Sequence, residues 1–568
     1  MNKLGHSVLR NGLLAAATSL LLLMTWVAAS PAHSKVNSGA SEADWCVSAG
    51  NSGRGPAGAW LAGDFHQHTF YTDGRTDFDF VMGKNYQFGL DWWANSEHGG
   101  ARIQDGFNRF WDSYLSDDEI LGDVAYGTAD GVAHRLMWRW QSLRDFAFGD
   151  ILRWRSLLPH QRIASGVEWN VPYHEHCSVG IVAEDAEAVS AFEYMFDQSD
   201  ADTSRDGEST PYGTLAKQNS SHADAVAACA WMQGLYDEGL VDDAWIVFAH
   251  IERKGTAKRG AYGVSDFRDF NNAGPDVCFG FEGAPGHQAD SQRGGFGSGA
   301  YGGGTYGGTG LYTAEVGGLW DALLGEGRHW FNFASSDYHA HTSVGGSDFY
   351  PGEYQKNYSY VVDSDQDRSI SLNEIAESLR SGNSYHVMGD LVDSLEFQAS
   401  SGGVVAPMGS DLVLSDRGNR SLVIKIAFTS PLFNNQGDHP TVDHIDLIAG
   451  DITGPIDPSD PAYQDPTNPT ARVIERLSPQ NWRVDRQGNH IATLVIREPE
   501  SLALTPEAQG VYFRLRATNQ APNTPYETDE DGNPLADSLA TTYLGLDGAA
   551  EAWADLWLYS NPIFVYFP

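Results

Sequence analysis

At 568 residues the chain is longer than one hydrophobic core usually serves, so two or more domains are expected. Its formal net charge of −39 makes a surface that repels nucleic-acid backbones, which excludes a general polyanion binder unless a local cluster of cations overrides it. The four cysteines, Cys46, Cys177, Cys229 and Cys278, show no CxxC spacing of the kind that holds zinc, and no disulfide pairing follows from their positions.

The first 34 residues run from Lys3 and Arg10 through the apolar stretch Leu13 to Ala29 to the small-residue pattern Ala32-His33-Ser34, the order of a secretory signal peptide. Cleavage is expected after Ser34, which makes the mature chain two charges more negative and places it in the periplasm or the medium. Thr18, Ser19 and Thr25 interrupt the stretch, and no later segment offers about 18 uninterrupted apolar residues, so the mature chain is expected to have no membrane span.

Seven runs rich in β-branched and aromatic residues then read as buried strands: Ala59 to Phe65, Leu90 to Asn95, Ile163 to Trp169, Cys177 to Ala183, Ala244 to Ala249, Val277 to Phe281 and His329 to Ala334. Helical periodicity fills several of the gaps, as in Glu184 to Phe196, His222 to Leu235 and Leu319 to Leu324, and this alternation predicts a parallel α/β sheet or barrel. Polar residues stand where the runs end: His66, Glu97-His98, Glu168, His250 and Asp337. In a β/α barrel the strand C-termini converge on one rim.

Two stretches interrupt the pattern. Residues 107–162 read as a Trp-rich, mostly helical insertion whose aromatic stripes serve packing. Residues 294–310 are Gly-rich with interspersed Tyr and predict a mobile loop, either a lid or a plain linker. The barrel region is thus expected over 35–390. From 391 to 568 strands follow one another without helices (Leu422 to Phe428, His444 to Ala449, Ile491 to Arg497, Val511 to Ala517, Leu556 to Tyr559, Ile563 to Tyr566), which predicts an all-β sandwich.

His66-Gln67-His68 places two imidazoles on one side of a strand, where they can ligate one metal or two adjacent ones. Alone that pair says little in a chain with 19 His. Further ligand types stand at other strand ends: Asp73, His98, Glu168, His176, His250, Asp337 and His339. Ionisable groups at the ends of apolar strands are costly to bury unless paired or coordinated. Together, GDFHQHTFYTDG, NSEHGG, GVEWN, FAHIERKG and SSDYHAH resemble the successive motifs of the polymerase and histidinol phosphatase (PHP) superfamily, over roughly Leu61 to His341.

The resemblance implies a distorted (β/α)7 barrel carrying two or three divalent metals, with His66, His68, Asp73, His98, Glu168, His176, His250, Asp337 and His339 as ligands. His174, two residues before His176, is an alternative to it, because i,i+2 positions share a face. Two positions depart from the family pattern: Glu97 stands where Asp is usual, and Ile251 where Pro is usual. The phrases FEGAPGH (residues 281–287) and LYSNPI (residues 558–563) are similar to an exported subgroup that includes carbaryl-type ester and carbamate hydrolases.

Mixed His and carboxylate ligands suit Zn, Mn or Fe. A multinuclear site can bridge a water, lower its pKa and present hydroxide to a phosphoryl or acyl centre. Arg253, with Lys254 and Arg259, forms either a solvated surface loop or a set of donors that could reach a phosphate, while His341 and His287 are candidates for a leaving-group acid or for a structural role.

Separately, Asp363, Asp365, Asp367, Ser369, Ser371 and Glu374 supply oxygens at EF-hand positions, with Ile370 in the hydrophobic eighth place, so the loop 363–374 is a candidate calcium site. Arg368 stands where that loop normally has Gly.

These residues support a metal-dependent phosphoesterase acting on a small-molecule ester, with nucleic acid an unexpected substrate. A carboxylic ester, carbamate or amide hydrolase on the same site is the alternative, and a metal-stabilised binding protein the second alternative.

Overall fold

A computed structural model describes residues 58–122, 124–255, 260–297, 299–415 and 421–568; the leader segment, Cys46 and Arg259 lie outside them. The seven strands expected to carry the site are β1 (Gly58–Asp64), β2 (Trp92–Asn95), β3 (Arg162–Asn170), β4 (His176–Val182), β5 (Asp243–Phe248), β6 (Cys278–Ala284) and β7 (Phe331–Ala334). They are hydrogen-bonded in the order β7-β6-β5-β4-β3-β2-β1. Most are buried on both faces, which explains their unbroken apolar runs.

The ends of this series meet just beyond the strands, where Gln67 and Tyr338 form a parallel bridge and the His68 N–H donates to the Tyr338 carbonyl at 2.8 Å. Inside, the Phe65 ring lies 5.1 Å from Trp92, 6.1 Å from Trp245 and 5.1 Å from Phe333, so rings on or just after β1, β2, β5 and β7 fill the space between the strands.

Not all of the sheet is parallel as expected. β4 runs antiparallel to both β3 and β5. Only residues 171–175 separate β3 from β4, too few for the crossover that a parallel pair needs. Helices pack between other strands: α1 (Phe78–Gln87), α2 (Phe148–Leu157), α3 (Glu187–Phe196), α4 (His222–Asp237), α5 (Val264–Ala273) and α6 (Leu319–Gly325). α4 begins at a capping box in which Ser221 and Asp224 satisfy each other's backbone N–H groups.

The insertion 107–162 carries α-helix only from Arg139 onward; before that it holds two short 3-10 turns, Trp111–Ser113 and Asp117–Glu119, and a small hairpin, Tyr126–Thr128 with Ala133–Arg135, while Met137–Trp138 pairs with Ala101–Arg102 as a strand. The tryptophans Trp111, Trp138, Trp140 and Trp154 are nonetheless buried.

The large sheet does not stop at residue 390. β8 (Gln355–Val362) pairs with β1 and with β9 (Ser384–Met388), on either side of the helix α7 (Leu372–Ser381). Five strands of a second sheet centre on β10 (Ser394–Ser401), β11 (Leu422–Thr429) and β14 (His490–Ile496). Four further C-terminal strands, β12 (His444–Ile452), β13 (Arg472–Leu477), β15 (Gly510–Thr518) and β16 (Trp557–Ser560), extend the large sheet in the order β9-β16-β15-β12-β13, and Ile563–Tyr566 joins it by pairing with β15 and with Asp411–Val413. Alternate residues of β11 (Leu422, Ile424, Ile426, Phe428) share one apolar cluster with Leu447 and Phe513, so the second sheet is packed as a β-rich layer.

Within the Gly-rich segment, residues 305–308 are anchored. Asp537 accepts hydrogen bonds from the N–H groups of Gly307 (2.7 Å) and Gly308 (3.0 Å) and from the Thr305 hydroxyl (2.7 Å). A Cβ at Gly307, whose φ is +58°, would lie 2.3 Å from Trp557 Nε1, so glycine is required for that approach. Cys177, Cys229 and Cys278 are buried free thiols. No helix among the described residues is long and apolar enough to cross a membrane.

Candidate metal centre

β1 delivers His66 and His68, β3 ends near Glu168, β4 opens on His176, and the segments after β2, β5 and β7 bring His98, His250, Asp337 and His339. Four donor atoms define the centre of the cluster. His66 Nε2 lies 3.1 Å from His68 Nε2, 3.2 Å from Glu168 Oε2 and 3.2 Å from Asp337 Oδ1. His68 Nε2 lies 3.1 Å from Glu168 Oε2 and 3.2 Å from Asp337 Oδ1. These are five of the six edges of a tetrahedron whose corners would stand about 1.9–2.0 Å from its centre, close to the roughly 2.0–2.2 Å of zinc bonds to nitrogen and oxygen and short of the roughly 2.3–2.6 Å that calcium requires.

Glu168 links this set to a second. Its Oε2 is 2.8 Å from His98 Nδ1, while Oε1 is 2.7 Å from His176 Nδ1 and 3.1 Å from His250 Nε2. A third set gathers around Asp73, whose Oδ2 is 3.4 Å from His98 Nε2 and whose Oδ1 is 3.4 Å from His339 Nε2 and 3.7 Å from His68 Nδ1. All nine residues implied as ligands thus stand together. His174 does not join them; its Nε2 faces His222.

The donor set fits divalent metal ions. Glu168 Oε2, Asp337 Oδ1, His98 Nδ1 and His250 Nδ1 are buried and have no hydrogen-bond partner among the described residues, a cost that a cation would remove. The electrostatics agree. Burial alone would lower the His66 imidazolium, yet Asp337, Glu168 and Glu282 outweigh it and hold it well above the usual histidine range. Burial likewise opposes charge on His98, but Glu168 and Asp73 push it up to about 10. The carboxylates thus hold positive charge at this point, as protons or as metal ions. His250, Asp337 and His287 have φ of +34°, +42° and +55°, and such strain in non-glycine residues concentrates at functional sites.

Residues outside the implied ligand set orient the ligands. Glu282 on β6 bonds His66 Nδ1 at 3.2 Å and accepts from Ser178 (2.7 Å) and Ser335 (2.6 Å), fixing which nitrogen of His66 faces the centre. A lone carboxylate in the buried run FGFEGA is the signal that could have revealed it. Glu97 stays outside the cluster; it accepts from the Thr69 N–H and hydroxyl and from the Thr72 hydroxyl, bracing the turn between His68 and Asp73. Ile251 is core.

The residues expected to act beside the metals are tied differently. His287 Nε2 lies 2.9 Å from Asp337 Oδ2 and its Nδ1 2.6 Å from Asp348 Oδ1, so it positions Asp337 and is not open to a leaving group. His341 bonds Ser343 and Glu353 through its two nitrogens and stacks on Tyr350, away from the cluster. Arg253 donates to Glu175 at 2.7 Å, and Lys254 lies 3.1 Å from the same carboxylate.

In the loop 363–374, Glu374 accepts from the N–H groups of Ser364 (2.6 Å) and Ser371 (2.9 Å), Asp365 from Asp367 N–H (3.0 Å) and Asp367 from Ser369 N–H (2.6 Å). Arg368 adopts φ +69°, the conformation glycine usually supplies there, and buried Asp363 Oδ1 has no partner among the described residues.

No protein-family profile matches the sequence, and no curated protein is significantly similar to it. Among solved structures, the chain is similar to a two-domain protein from Bacteroides vulgatus that contains a predicted PHP-like metal-dependent phosphoesterase. Identity is 11%, with 84% of this chain and 93% of that chain covered and a TM-score of 0.32.

Proposed function

We propose that this chain is an exported, multinuclear metal-dependent hydrolase of the PHP type, built on a distorted barrel and acting on a small phosphate ester. One observation carries the reading: Glu168 is shared among five imidazoles, with its Oε2 unpaired and pointing into the same space as the unpaired Asp337 Oδ1. His66, His68, Glu168 and Asp337 would hold one ion, Glu168 with His176 and His250 a second, and Asp73 with His98 and His339 a third. When bound, such ions supply Lewis acidity and an activated water. The chain's own part is to orient: Glu282 holds His66, His287 holds Asp337, and Glu97 braces the His68–Asp73 turn.

A cavity of about 450 Å³ opens against the cluster, lined by His98, His176, Asn170, Ser199, Trp138 and Arg102. Arg102 Nε is buried without a hydrogen-bond partner among the described residues. A guanidinium lining the same cavity as His98 and His176 suits an anionic oxygen, which supports a phosphate ester over a neutral one.

The test is turnover of aryl phosphate mono- and diesters by the Zn- or Mn-loaded protein, compared with aryl esters and carbamates. Arg102→Gln is expected to lower kcat/KM for phosphate esters roughly 10- to 100-fold, the worth of one charge-assisted hydrogen bond, with metal content unchanged. Turnover of carboxylic esters or carbamates without phosphate esters would replace this reading with the alternative chemistry. A fully metal-loaded protein that turns over none of them would favour a binding module.

A further inference from the structure

A second group of metal-ligating side chains lies outside the cluster, where the segment 171–175 meets the N-terminal ends of α4 and α5. His174 is buried, its ring stacked 4.8 Å from Tyr262 at an interplanar angle of 6°. Its Nδ1 lies 3.1 Å from the Ala261 carbonyl oxygen, which can only accept, so that nitrogen carries the hydrogen. The Nε2 lone pair then points at His222 Nδ1, 2.8 Å away. His222, the first residue of α4, has its other nitrogen 3.2 Å from Asp269 Oδ2, again an acceptor, so its hydrogen belongs on Nε2. Two lone pairs are thereby aimed at each other, an arrangement that requires a positive charge between them.

A third donor faces the same point. Asp266 Oδ1 is 3.7 Å from His222 Nδ1, and the ligand atoms of His174, His222 and Asp266 all lie within 4.8 Å of one another. The other oxygen of Asp266 is occupied, accepting the Gly263 N–H at 2.8 Å, which aims Oδ1 away from the helix end. Ala261 and Asp269 hold the two imidazoles from behind, as outer-shell carbonyls and carboxylates do for metal-bound histidines. The nitrogen pair would have to open by about 0.5 Å to flank a tetrahedral zinc-sized ion. The His222 ring has space to shift: it borders a cavity of about 480 Å³ lined also by Ala223, Val226 and Asp269, and about a third of its side chain is exposed.

We propose that His174, His222 and Asp266 form a separate structural site for a single zinc-like divalent ion, completed by water. Two imidazoles and one carboxylate favour a late transition metal over calcium or magnesium. The ion would clamp the starts of α4 and α5 to the segment that leads into β4. The same segment is held by Gly260 N–H on the Tyr173 carbonyl (3.1 Å) and by the Tyr262 hydroxyl on the carbonyls of Glu175 (3.0 Å) and His176 (3.2 Å). The site would thus secure the strand that presents His176.

The experiment uses the full chain, stripped with chelator and reloaded with zinc alone. Crystals of it, measured above and below the zinc edge, should show an anomalous peak within bonding distance of His174 Nε2 and His222 Nδ1. His222→Asn and Asp266→Asn, both partly exposed at helix starts, should each lose that peak and one zinc per chain, with circular dichroism unchanged and the peaks at the main cluster retained. No peak there at a zinc concentration that fills the cluster would mean a proton alone joins the two rings, and would overturn the proposal. So would variants that keep the wild-type zinc count. Because each site is read by its own peak, an empty main cluster would count against the proposed hydrolase and leave this site to be judged separately.

Discussion

Replacing Glu168 by Gln keeps the side chain's shape and removes the charge that its two oxygens share among five imidazoles at 2.7–3.2 Å. Gln turns an NH2 group toward one set of rings and a neutral oxygen toward the other. One set therefore meets a donor where it needs a ligand, and the other loses its charge. The Asp73, His98 and His339 set keeps its own carboxylate. At the main cluster, wild-type protein is expected to hold three ions and Glu168→Gln one. An ion present at 100 times its Kd stabilises the folded state by about 2.7 kcal/mol, so the loss of two removes about 5 kcal/mol of metal-dependent stabilisation. The assay pairs elemental analysis with thermal midpoints of stripped and Zn- or Mn-loaded protein. Loading should raise the wild-type midpoint clearly more than that of the variant, and aryl phosphate turnover should fall to background in the variant. An unchanged ion count in Glu168→Gln, or equal shifts in both midpoints, would refute the assignment of Glu168 as the shared ligand.

Glu282→Gln leaves every proposed ligand in place but weakens the hold on His66 Nδ1, and should cost roughly 10- to 100-fold in metal affinity or activity, measured by chelator competition. Asp91 accepts the Ala62 N–H at 2.9 Å, and burial raises its carboxyl to about 6. The folded state therefore holds this proton more tightly than the unfolded state does, so the contribution is present below about pH 4 and is lost as pH rises through 6. Asp91→Asn, which keeps the acceptor, should be more stable than wild type at pH 7 by up to about 3 kcal/mol, with the difference vanishing near pH 4. Identical pH profiles of stability would contradict this. Calcium near 1 mM should raise the thermal midpoint of wild type through the loop 363–374, and Asp363→Asn should abolish the effect; the affinity is expected to be modest, about that of extracellular modules, because Glu374 must first leave Ser364 and Ser371.

The strands and the identity of the clustered residues were legible because both are local properties. A buried strand writes itself as an apolar run, and an ionisable residue at its end stands out against that run. Direction was legible in part: the short link 171–175 already implied that β4 returns antiparallel, although helical periodicity elsewhere suggested a uniform parallel order. Pairings between distant segments left no such trace. That β9 pairs with β16, joining residues 384–388 to 557–560, is written in neither segment alone. The same holds for Asp537, which pins Gly307 and Gly308 from about 230 residues away.

What an ionisable residue does once it is in place belongs with these distant pairings. His287 and His341 are chemically alike in the sequence, and either ring could donate a proton to a leaving group. The fold sets Asp337 and Asp348 on the two nitrogens of His287, and Ser343 and Glu353 on those of His341, so neither keeps a free nitrogen for substrate. His174 and His176 share a spacing that makes them interchangeable on paper. Only the partners brought by α4, α5 and β3 send one ring to His222 and the other to Glu168. A ligand's type is thus a property of the sequence, whereas its free lone pair is a property of the neighbours, and the roles of these histidines are decided by the second.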